Sequence, residues 1–339
     1  MKRVAVASYV GSAIEYYDFY VYGTAAALVF PRVFFPHLST TMATVASMAT
    51  LAAAFVSRPA GAAFFGHFGD RLGRKATLTA TLLIMGLSTV AVGLVPGAAT
   101  IGVAAPVLLL ALRLAQGFAV GGEWAGAALL ATEHAPAEAR GRYGMFTSLG
   151  AGSMVGFFAF GYIANAYLTG YAHTGLGFSP DLILGINVLG GVTAMTFCAL
   201  AATACDRFGR RRVIVGAFAA GVPWAFVLFP LVDTGDTVWY TVAIVGTYAI
   251  AGAAYGPMGA FITETFATRY RYSGAGLALN IAGLVGGAIP PLIAAPLTAT
   301  FGAVGIGTLL GVLVVTSLVS TYLLPETMGA ALSTTHESS

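Results

Sequence analysis

Long apolar stretches separated by short polar segments dominate the chain. Ten of these stretches are long enough to cross a bilayer, which requires about 20 mostly apolar residues per helix. The runs are continuous, whereas the strands of a membrane barrel alternate apolar and polar residues. The pattern therefore predicts an all-α polytopic membrane helical bundle with about ten transmembrane helices. The predicted spans are 4–30, 42–66, 76–96, 103–132, 144–168, 182–204, 213–232, 238–264, 274–298 and 302–324.

The composition supports the same class. Hydrophobic residues make up 58% of the 339 residues and charged residues 9%, whereas soluble domains hold roughly 45–50% and about 25%. The two cysteines, Cys198 and Cys205, offer neither a disulfide framework nor a metal-binding spacing. The sequence contains no phosphate-binding GxxxxGK[ST] motif and no visible nucleophile–base pair. We therefore expect no metal, no cofactor and no enzymatic activity.

The basic residues are distributed unequally between the two sides of the predicted membrane. Thirteen of the sixteen Lys and Arg residues fall in alternate loops or at the amino terminus, and Arg32 alone falls in the opposite set. Cytoplasmic loops are enriched in Lys and Arg, so the sequence predicts an even number of spans with both termini in the cytoplasm. It favours a bacterial-type plasma membrane. The basic clusters are short and tethered at the bilayer, so a nucleic-acid partner is not expected.

An internal repeat divides the chain into two halves. The sequence Asp-Arg-Leu-Gly-Arg-Lys at 70–75 returns as Asp-Arg-Phe-Gly-Arg-Arg at 206–211. A generic basic turn explains the arginines but not the repeated order. We predict an amino-terminal half at 1–168, a carboxy-terminal half at 182–324 and a cytoplasmic tail at 325–339. The two repeated segments, called the signature loops below, are predicted to form a cytoplasmic gate. The candidate gate residues are Gly66, Asp70, Arg71, Gly73 and Arg74 in the first loop and Asp206, Arg207, Gly209 and Arg210 in the second.

These motifs carry a family resemblance. The G-x-x-x-D-R-x-G-R-[RK] pattern from Gly66 to Lys75 resembles the signature loop of the major facilitator superfamily. The segments 11–20, 113–117, 121–124 and 325–327, with Arg58-Pro59, are more closely similar to the metabolite:H⁺ symporter family. The resemblance implies a secondary transporter that works by alternating access. Its implied substrates range over dicarboxylates, aromatic acids and zwitterionic osmolytes.

The chain departs from that family in its number of spans. The family has twelve spans, with signature loops after spans 2 and 8, whereas here the loops follow predicted spans 2 and 6. The sixth and seventh family spans are therefore expected to be absent around 169–181. Removal of two spans preserves the alternation of inside and outside. It also raises a second hypothesis, that the chain is an internally deleted, transport-incompetent family member.

Ionisable side chains inside a membrane are costly and usually mark a transport pathway or an ion pair. All those that stand out lie in the first half, so the sequence places charge recognition on spans 1, 2 and 4. They are Glu15, Asp18, Arg58, Arg113 and Glu123.

Glu15 and Asp18 are the candidates for proton coupling. They are three residues apart and Tyr22 is four residues further on, so all three share one helical face. Acids at this depth must be paired or must have raised pKa values. The alternative is a fixed ion pair with Arg113 or Arg58, and a proton-labile salt bridge would satisfy both interpretations.

Arg113 and Arg58 are the candidates for substrate binding. The guanidinium fork suits bidentate binding of a carboxylate, and Gln116 shares the helical face of Arg113. Tyr16 and Tyr22 are further candidates because their hydroxyls and rings can line a cavity. In the alternative interpretation the arginines only pair with the intramembrane acids. Glu123 is predicted to act as a gate or as a helix-packing partner.

Together these features predict proton-coupled symport of a small organic acid or zwitterionic metabolite. Protons, the substrate and the lipid bilayer are the expected partners, and a monomer is expected. Proton-coupled drug or metabolite antiport is the alternative within transport. Span 5 lacks the Gly-Pro signature of drug antiporters in the superfamily, which disfavours it.

Overall fold

The computed structural model describes residues 21–72, 74–125, 140–266 and 271–328. Within these ranges the secondary structure is helical, with no strand. The first half contains α1 (21–28), α2 (Thr40–Leu72), α3 (Arg74–Leu94) and α4 (Ala104–Ala125), with one-turn helices at Phe30–Val33 and Ala98–Ile101. Helix α5 comprises Arg140–Tyr162, a π-helical segment Ile163–Leu168 and Thr169–Thr174.

The second half begins after the short connection 175–179. It contains α6 (Pro180–Phe208), α7 (Arg210–Asp233) and α8 (Thr237–Thr265). Helix α9 starts with Arg271–Ala282, passes through a π-helical segment Gly283–Ala288 and ends at a kink at Gly302, where φ is 62° and ψ is −156°. The kink divides the segment Ile289–Leu323, and its remainder, 303–323, forms α10.

The helices confirm the predicted membrane bundle. In the part of the chain that the structure describes, seven helical stretches are long and apolar enough to cross a membrane. The last of them is 46 residues long and contains the Gly302 kink, so it supplies both α9 and α10. A shorter apolar helix covers Thr79–Leu94 in α3. Together with α1, these helices account for the ten predicted spans.

Local capping explains where the helices of the second half begin. The Ser179 side chain accepts a hydrogen bond from the Leu182 N–H at 3.3 Å, and Pro180 occupies the first turn of α6. Asp236 likewise accepts from the N–H groups of Val238 (2.7 Å) and Trp239 at the start of α8. These caps satisfy N–H groups that have no partner inside the helix, so the starts of α6 and α8 are defined by Ser179 and Asp236.

Equivalent helix pairs pack in the same way in the two halves. Helix α2 packs along α4, and α6 packs along α8. A methyl group added at Gly117 or Gly121 of α4 would collide with the backbone carbonyl of Ala54 or Arg58 in α2. The same holds for α8 against α6, where Gly252 and Gly256 meet the carbonyls of Ala194 and Cys198. The internal repeat of the sequence is therefore a repeat of helix packing.

Helix α5 contacts both halves. The larger apolar core joins α5, from Ala151 to Ala172, with buried residues of α6 to α10. The smaller core joins α1, α2 and α4 with Ala166 of α5 and Ala288 of α9. The predicted division at 168 and 182 stays a prediction, and the contacts of α5 show that this helix is shared across it.

Candidate functional site

Arg113 lies at the middle of α4 and is fully buried. Its guanidinium carbon sits 3.3 Å from the centre of the Tyr22 ring in α1, a cation–π arrangement. Its Nη1 atom donates a hydrogen bond to Oε1 of Gln116 at 2.5 Å. The prediction that Arg113 and Gln116 share a helical face is confirmed, and the structure adds Tyr22 to the same cluster.

Hydrogen bonds extend from Gln116 into α3. The Gln116 Nε2 group donates to the Thr89 hydroxyl at 2.7 Å, and that hydroxyl donates to the Met85 carbonyl at 2.9 Å. In this series of hydrogen bonds, each side chain is therefore oriented by the group that follows it. The orientation of the Gln116 amide, and through it that of the Arg113 guanidinium, depends on the position of α3.

A second set of hydrogen bonds fixes Tyr22. Its hydroxyl lies 2.6 Å from the hydroxyl of Thr50 in α2. Thr50 uses its proton on the Ser47 carbonyl at 2.7 Å, so Tyr22 is the donor to Thr50. The Ser47 hydroxyl in turn donates to the Ala26 carbonyl at 2.6 Å. Helices α1 and α2 thus hold the ring that lies on Arg113.

Arg58 lies at a different place, where α2 meets α9. It is buried, and its guanidinium carbon lies 4.2 Å from the centre of the Phe55 ring. Phe55 makes an edge-to-face contact with Tyr162 of α5, and a methyl group added at Gly283 in the π-helical segment of α9 would press on Phe55. Arg58 therefore belongs to the contact between the two halves, whereas Arg113 belongs to the interior of the first half.

The two arginines also differ in depth. Tyr22 contacts both Arg113 and Thr50, so these two residues lie at one level. Arg58 is eight residues beyond Thr50 along α2, which corresponds to about 12 Å at 1.5 Å per residue. It lies on the side of the first signature loop. The backbone of Arg58 therefore lies nearer the first signature loop than that of Arg113.

Several predicted residues lie outside the described part of the chain. Glu15, Tyr16 and Asp18 precede it, and Gly73 falls in a gap. The backbone of Glu123 belongs to α4. Gly66, Asp70 and Arg71 form the last turns of α2, and Arg74 begins α3. The assigned roles of all these residues stay predictions.

The second signature loop is fully described. Helix α6 ends at Phe208, Gly209 has a φ of 96°, and α7 begins at Arg210. The Glu326 carboxylate accepts hydrogen bonds from the N–H groups of Arg210 and Arg211, at 2.9 and 3.1 Å. A carboxylate at a helix N-terminus satisfies free N–H groups and interacts favourably with the helix dipole. Glu326 thus caps α7 from the far end of the chain.

Two arginines of this loop reach neighbouring helices. Arg210 forms a salt bridge with Glu264 at the end of α8, with an N–O distance of 2.8 Å. Arg211 donates from Nη1 to the carbonyls of Leu324 at 3.1 Å and Tyr322 at 3.4 Å. The loop therefore joins the ends of α7, α8 and α10 into one charged cluster.

The sequence as a whole matches one protein family. The match to the family described as sugar (and other) transporter covers residues 4–171 and 154–338. The two matched ranges overlap within α5, the helix shared by the two cores. This chain belongs to the sugar (and other) transporter family, within the major facilitator superfamily. It is a secondary transporter and a multi-pass membrane protein, not an enzyme.

Curated relatives are transport proteins. The inner membrane metabolite transport protein YhjE of Escherichia coli K12 is 34% identical, with 96% of this chain and 94% of that protein covered. The shikimate transporter of Escherichia coli K12 is 33% identical, with 88% of each covered. The proline/betaine transporter of Salmonella typhimurium is 41% identical over 46% of this chain and 31% of its own length.

A solved structure shares the fold of this transporter. The D-xylose-proton symporter matches with a TM-score of 0.67 over 91% of this chain and 96% of that chain, at 16% identity. At that identity the likeness shows the fold alone, and it agrees with the expected major-facilitator architecture.

The alignment with YhjE extends over 417 positions, more than the 339 residues of this transporter. The relative therefore contains residues that have no counterpart here. In the structure only five residues connect α5 to α6, and α6 leads directly to the second signature loop. Both observations agree with the prediction that family spans are absent near this connection.

Two features of the site were not predicted from the sequence. The capping role of Glu326 was missed, although a carboxylate directly after the last apolar span and a basic repeated loop were both visible. The paired glycines of α4 and α8 were also missed. Their signal is the shared four-residue spacing, at nearly the same offset as the repeated signature loops.

Proposed function

We propose that this transporter couples protons to the symport of a small organic acid or zwitterionic metabolite by alternating access. The observation that carries the proposal is the geometry of Arg113. Its guanidinium is buried at mid-helix and held between the Tyr22 ring and the Gln116 amide. The planar fork of arginine suits bidentate binding of a carboxylate. We assign Arg113 as the main substrate anchor, with Gln116, Tyr22 and Tyr16 as neighbouring contacts.

The relatives support a carboxylate-bearing substrate. Two of the relatives are named as transporters of shikimate and of proline and betaine. All three compounds carry a carboxylate. D-xylose carries none, and the protein named for it is related only through its fold. Buried guanidinium groups are suited to carboxylates, so organic acids and zwitterions are better substrate candidates than neutral sugars.

Proton coupling is assigned to Asp18 and Glu15. Asp18 is four residues before Tyr22, a spacing that predicts a common helical face, and Tyr22 lies on Arg113. A carboxyl near a buried guanidinium can release it to the substrate when it takes up a proton. Proton uptake at Asp18 or Glu15 would therefore favour substrate binding at Arg113.

Arg58 is assigned to a later stage of transport. It lies about 12 Å nearer the first signature loop than Arg113, from the helical rise along α2. A substrate that leaves Arg113 toward the cytoplasm would meet Arg58 at the contact between α2 and α9. The signature loops, together with Glu123, would close the path on that side.

The test is uptake by purified protein in proteoliposomes. Labelled shikimate, proline and glycine betaine are offered with the lumen alkaline relative to the outside. We expect uptake of at least one of them, and its abolition by a protonophore. Arg113→Gln should raise KM at least roughly tenfold, since a hydrogen bond to a charged group contributes about 1.5–3 kcal/mol. Arg113→Lys should retain part of the activity.

The matched control is Arg212→Gln, which removes an exposed arginine in the first turn of α7 and should leave uptake unchanged. Folding of each variant is checked by size-exclusion chromatography and thermal unfolding. Uptake that persists with a protonophore would overturn proton coupling. A normal KM in folded Arg113→Gln would overturn the substrate assignment.

The membrane placement is part of the proposal. We assign the plasma membrane, with both termini in the cytoplasm and a monomeric protein, because the basic residues cluster on the side of the signature loops. An Arg212→Cys variant should then react with a membrane-impermeant maleimide only from the cytoplasmic side. Labelling from outside would reverse the orientation.

Transport incompetence is the second candidate function. It is favoured by the sharing of α5 between both apolar cores, since a shared helix resists movement of the halves. Absence of uptake by folded, monodisperse protein would support it, and robust uptake would exclude it. Proton-coupled antiport is distinguished in the same vesicles by an outward proton gradient. This gradient would drive substrate into the vesicles by antiport and out of them by symport.

A further inference from the structure

A pocket lies at the end of the molecule opposite the signature loops. It has a volume of about 350 Å³ and lies between the segment that joins α1 to α2 and the end of α5. Binding pockets for small molecules begin at about 300 Å³. Arg32 and His173 are the ionisable residues that line it, together with hydroxyl groups of Thr40, Thr44 and Thr174.

Arg32 and His173 are hydrogen-bonded across this pocket. Nη2 of Arg32 lies 2.9 Å from Nε2 of His173, and Nδ1 of His173 lies 3.1 Å from the Phe178 carbonyl oxygen. Arginine can only donate and a carbonyl can only accept. Both bonds therefore require a neutral imidazole with its proton on Nδ1.

Protonation of His173 would break this arrangement. An imidazolium has no lone pair on Nε2 and so cannot accept from Arg32. It would also place two positive charges at hydrogen-bond distance from each other. The favourable outcomes are separation of the two side chains or the binding of an anion between them. Histidine is the side chain whose ordinary charge change lies between about pH 5 and 8.

Nearby carboxylates lie outside the pocket lining. Asp233, at the end of α7, accepts a hydrogen bond from the Tyr171 hydroxyl at 2.9 Å. Asp181 is in the first turn of α6, which follows the loop containing Phe178. Among the described lining residues, the positive charges of Arg32 and protonated His173 meet no carboxylate.

We propose that Arg32 and His173 form an outer capture site for a small organic carboxylate, assembled when His173 is protonated. The inference deepens the proposed function, on which it rests for the class of substrate. The site would concentrate the anion on the acidic side of the membrane, before it reaches Arg113. Each anion bound at this site would then be accompanied by one proton held on His173.

The experiment uses histidine NMR on the full chain in phosphatidylcholine nanodiscs, with succinate as the probe. The His173 ring resonance is assigned by its loss in His173→Gln. We expect succinate to shift that resonance at pH 5.5 and to bind more weakly at pH 7.5. Arg32→Gln should remove most of the succinate response, and Arg32→Lys should keep part of it.

Further arms separate capture at this pocket from binding at Arg113 and from occupancy by lipid. Arg113→Lys should keep the His173 response. A His173 response in the unaltered protein that shows no uptake would leave this site standing while the proposed function fails. The same measurement is repeated in phosphatidylglycerol nanodiscs. If the His173 resonance is shifted there without succinate, and succinate adds no further shift, the occupant is a lipid headgroup and substrate capture is overturned. A His173 resonance unmoved by succinate at pH 5.5 would overturn the proposal.

Discussion

Gly209 shows how much of the second signature loop depends on one backbone position. Its φ of 96° belongs to a region that side chains with a Cβ atom rarely adopt. A Cβ atom there would also lie 2.6 Å from Oε2 of Glu326. The repeated glycine of the signature loop is therefore explained twice, by the turn between α6 and α7 and by the carboxylate that caps α7.

We expect Gly209→Ala to destabilise the protein by about 1–3 kcal/mol, the cost of holding a residue with a side chain in a positive-φ conformation of φ 96° and ψ 146°. The displaced Glu326 adds to this cost. Gly216→Ala is the matched control, because Gly216 lies in α7 with open space around its Cβ position, and alanine favours a helix. Thermal unfolding in one detergent compares the two variants. Equal unfolding midpoints would contradict the assigned role of Gly209.

Individual residues of the site were predictable only where helical spacing was sufficient. The three-residue spacing of Arg113 and Gln116 predicted their common face, and the hydrogen bond between them confirms it. The stacking of Tyr22 on Arg113 and the capping of α7 by Glu326 join residues far apart in sequence. Such contacts depend on how helices pack in three dimensions, which apolar periodicity does not specify.

At the scale of helices, the packing glycines give the repeat its chemical meaning. Gly117 and Gly121 of α4 correspond to Gly252 and Gly256 of α8, and each contacts a backbone carbonyl of the partner helix. In the same register Arg113 corresponds to Tyr248, which is also buried. The halves therefore share this packing, whereas the buried position holds an arginine in the first half and a tyrosine in the second.

Gly117→Ala and Gly252→Ala should both separate their helix pairs. A methyl group would collide with the Ala54 or Ala194 carbonyl, and overpacking of this kind typically costs about 1–3 kcal/mol. Gly86→Ala in α3 is the control, since its Cβ position is open. Thermal unfolding and the yield of monodisperse protein are measured for all three. A loss in Gly117→Ala alone would contradict the equivalence of the two helix pairs.

The helices themselves were well predicted, and their details were not. The predicted spans 182–204, 213–232 and 238–264 fall within α6, α7 and α8, which extend one to four residues further at each end. The extensions carry polar and basic residues, so the spans predicted from hydropathy end before the helices do. The π-helical segments of α5 and α9 left no signal, because their sequences are as apolar as the turns around them.

For the whole molecule, the contacts of α5 decide which parts can move as units. Toward the second half it is held by buried apolar packing and by hydrogen bonds such as Gly156 N–H to Ser317 at 2.7 Å and Tyr167 to Thr298 at 2.6 Å. Toward α1, the contacts among the described residues include the hydrogen bond from Thr24 to Asn165 at 3.2 Å. The pocket of Arg32 and His173 lies beside this contact between α1 and α5.

We therefore expect the outer side to open between α1–α4 and α5–α10, with α5 moving as part of the second half. We expect the distance between spin labels at Thr40 and Thr174 to show an additional, longer value at pH 5.5 with succinate. Labels at Thr174 and Thr237 should keep one distance, which makes them the internal control. All these positions are exposed, and both native cysteines are replaced by serine. A change confined to the second pair would place α5 with the first half. No change in either pair would favour the transport-incompetent protein, because a helix bonded to both halves would then hold them together.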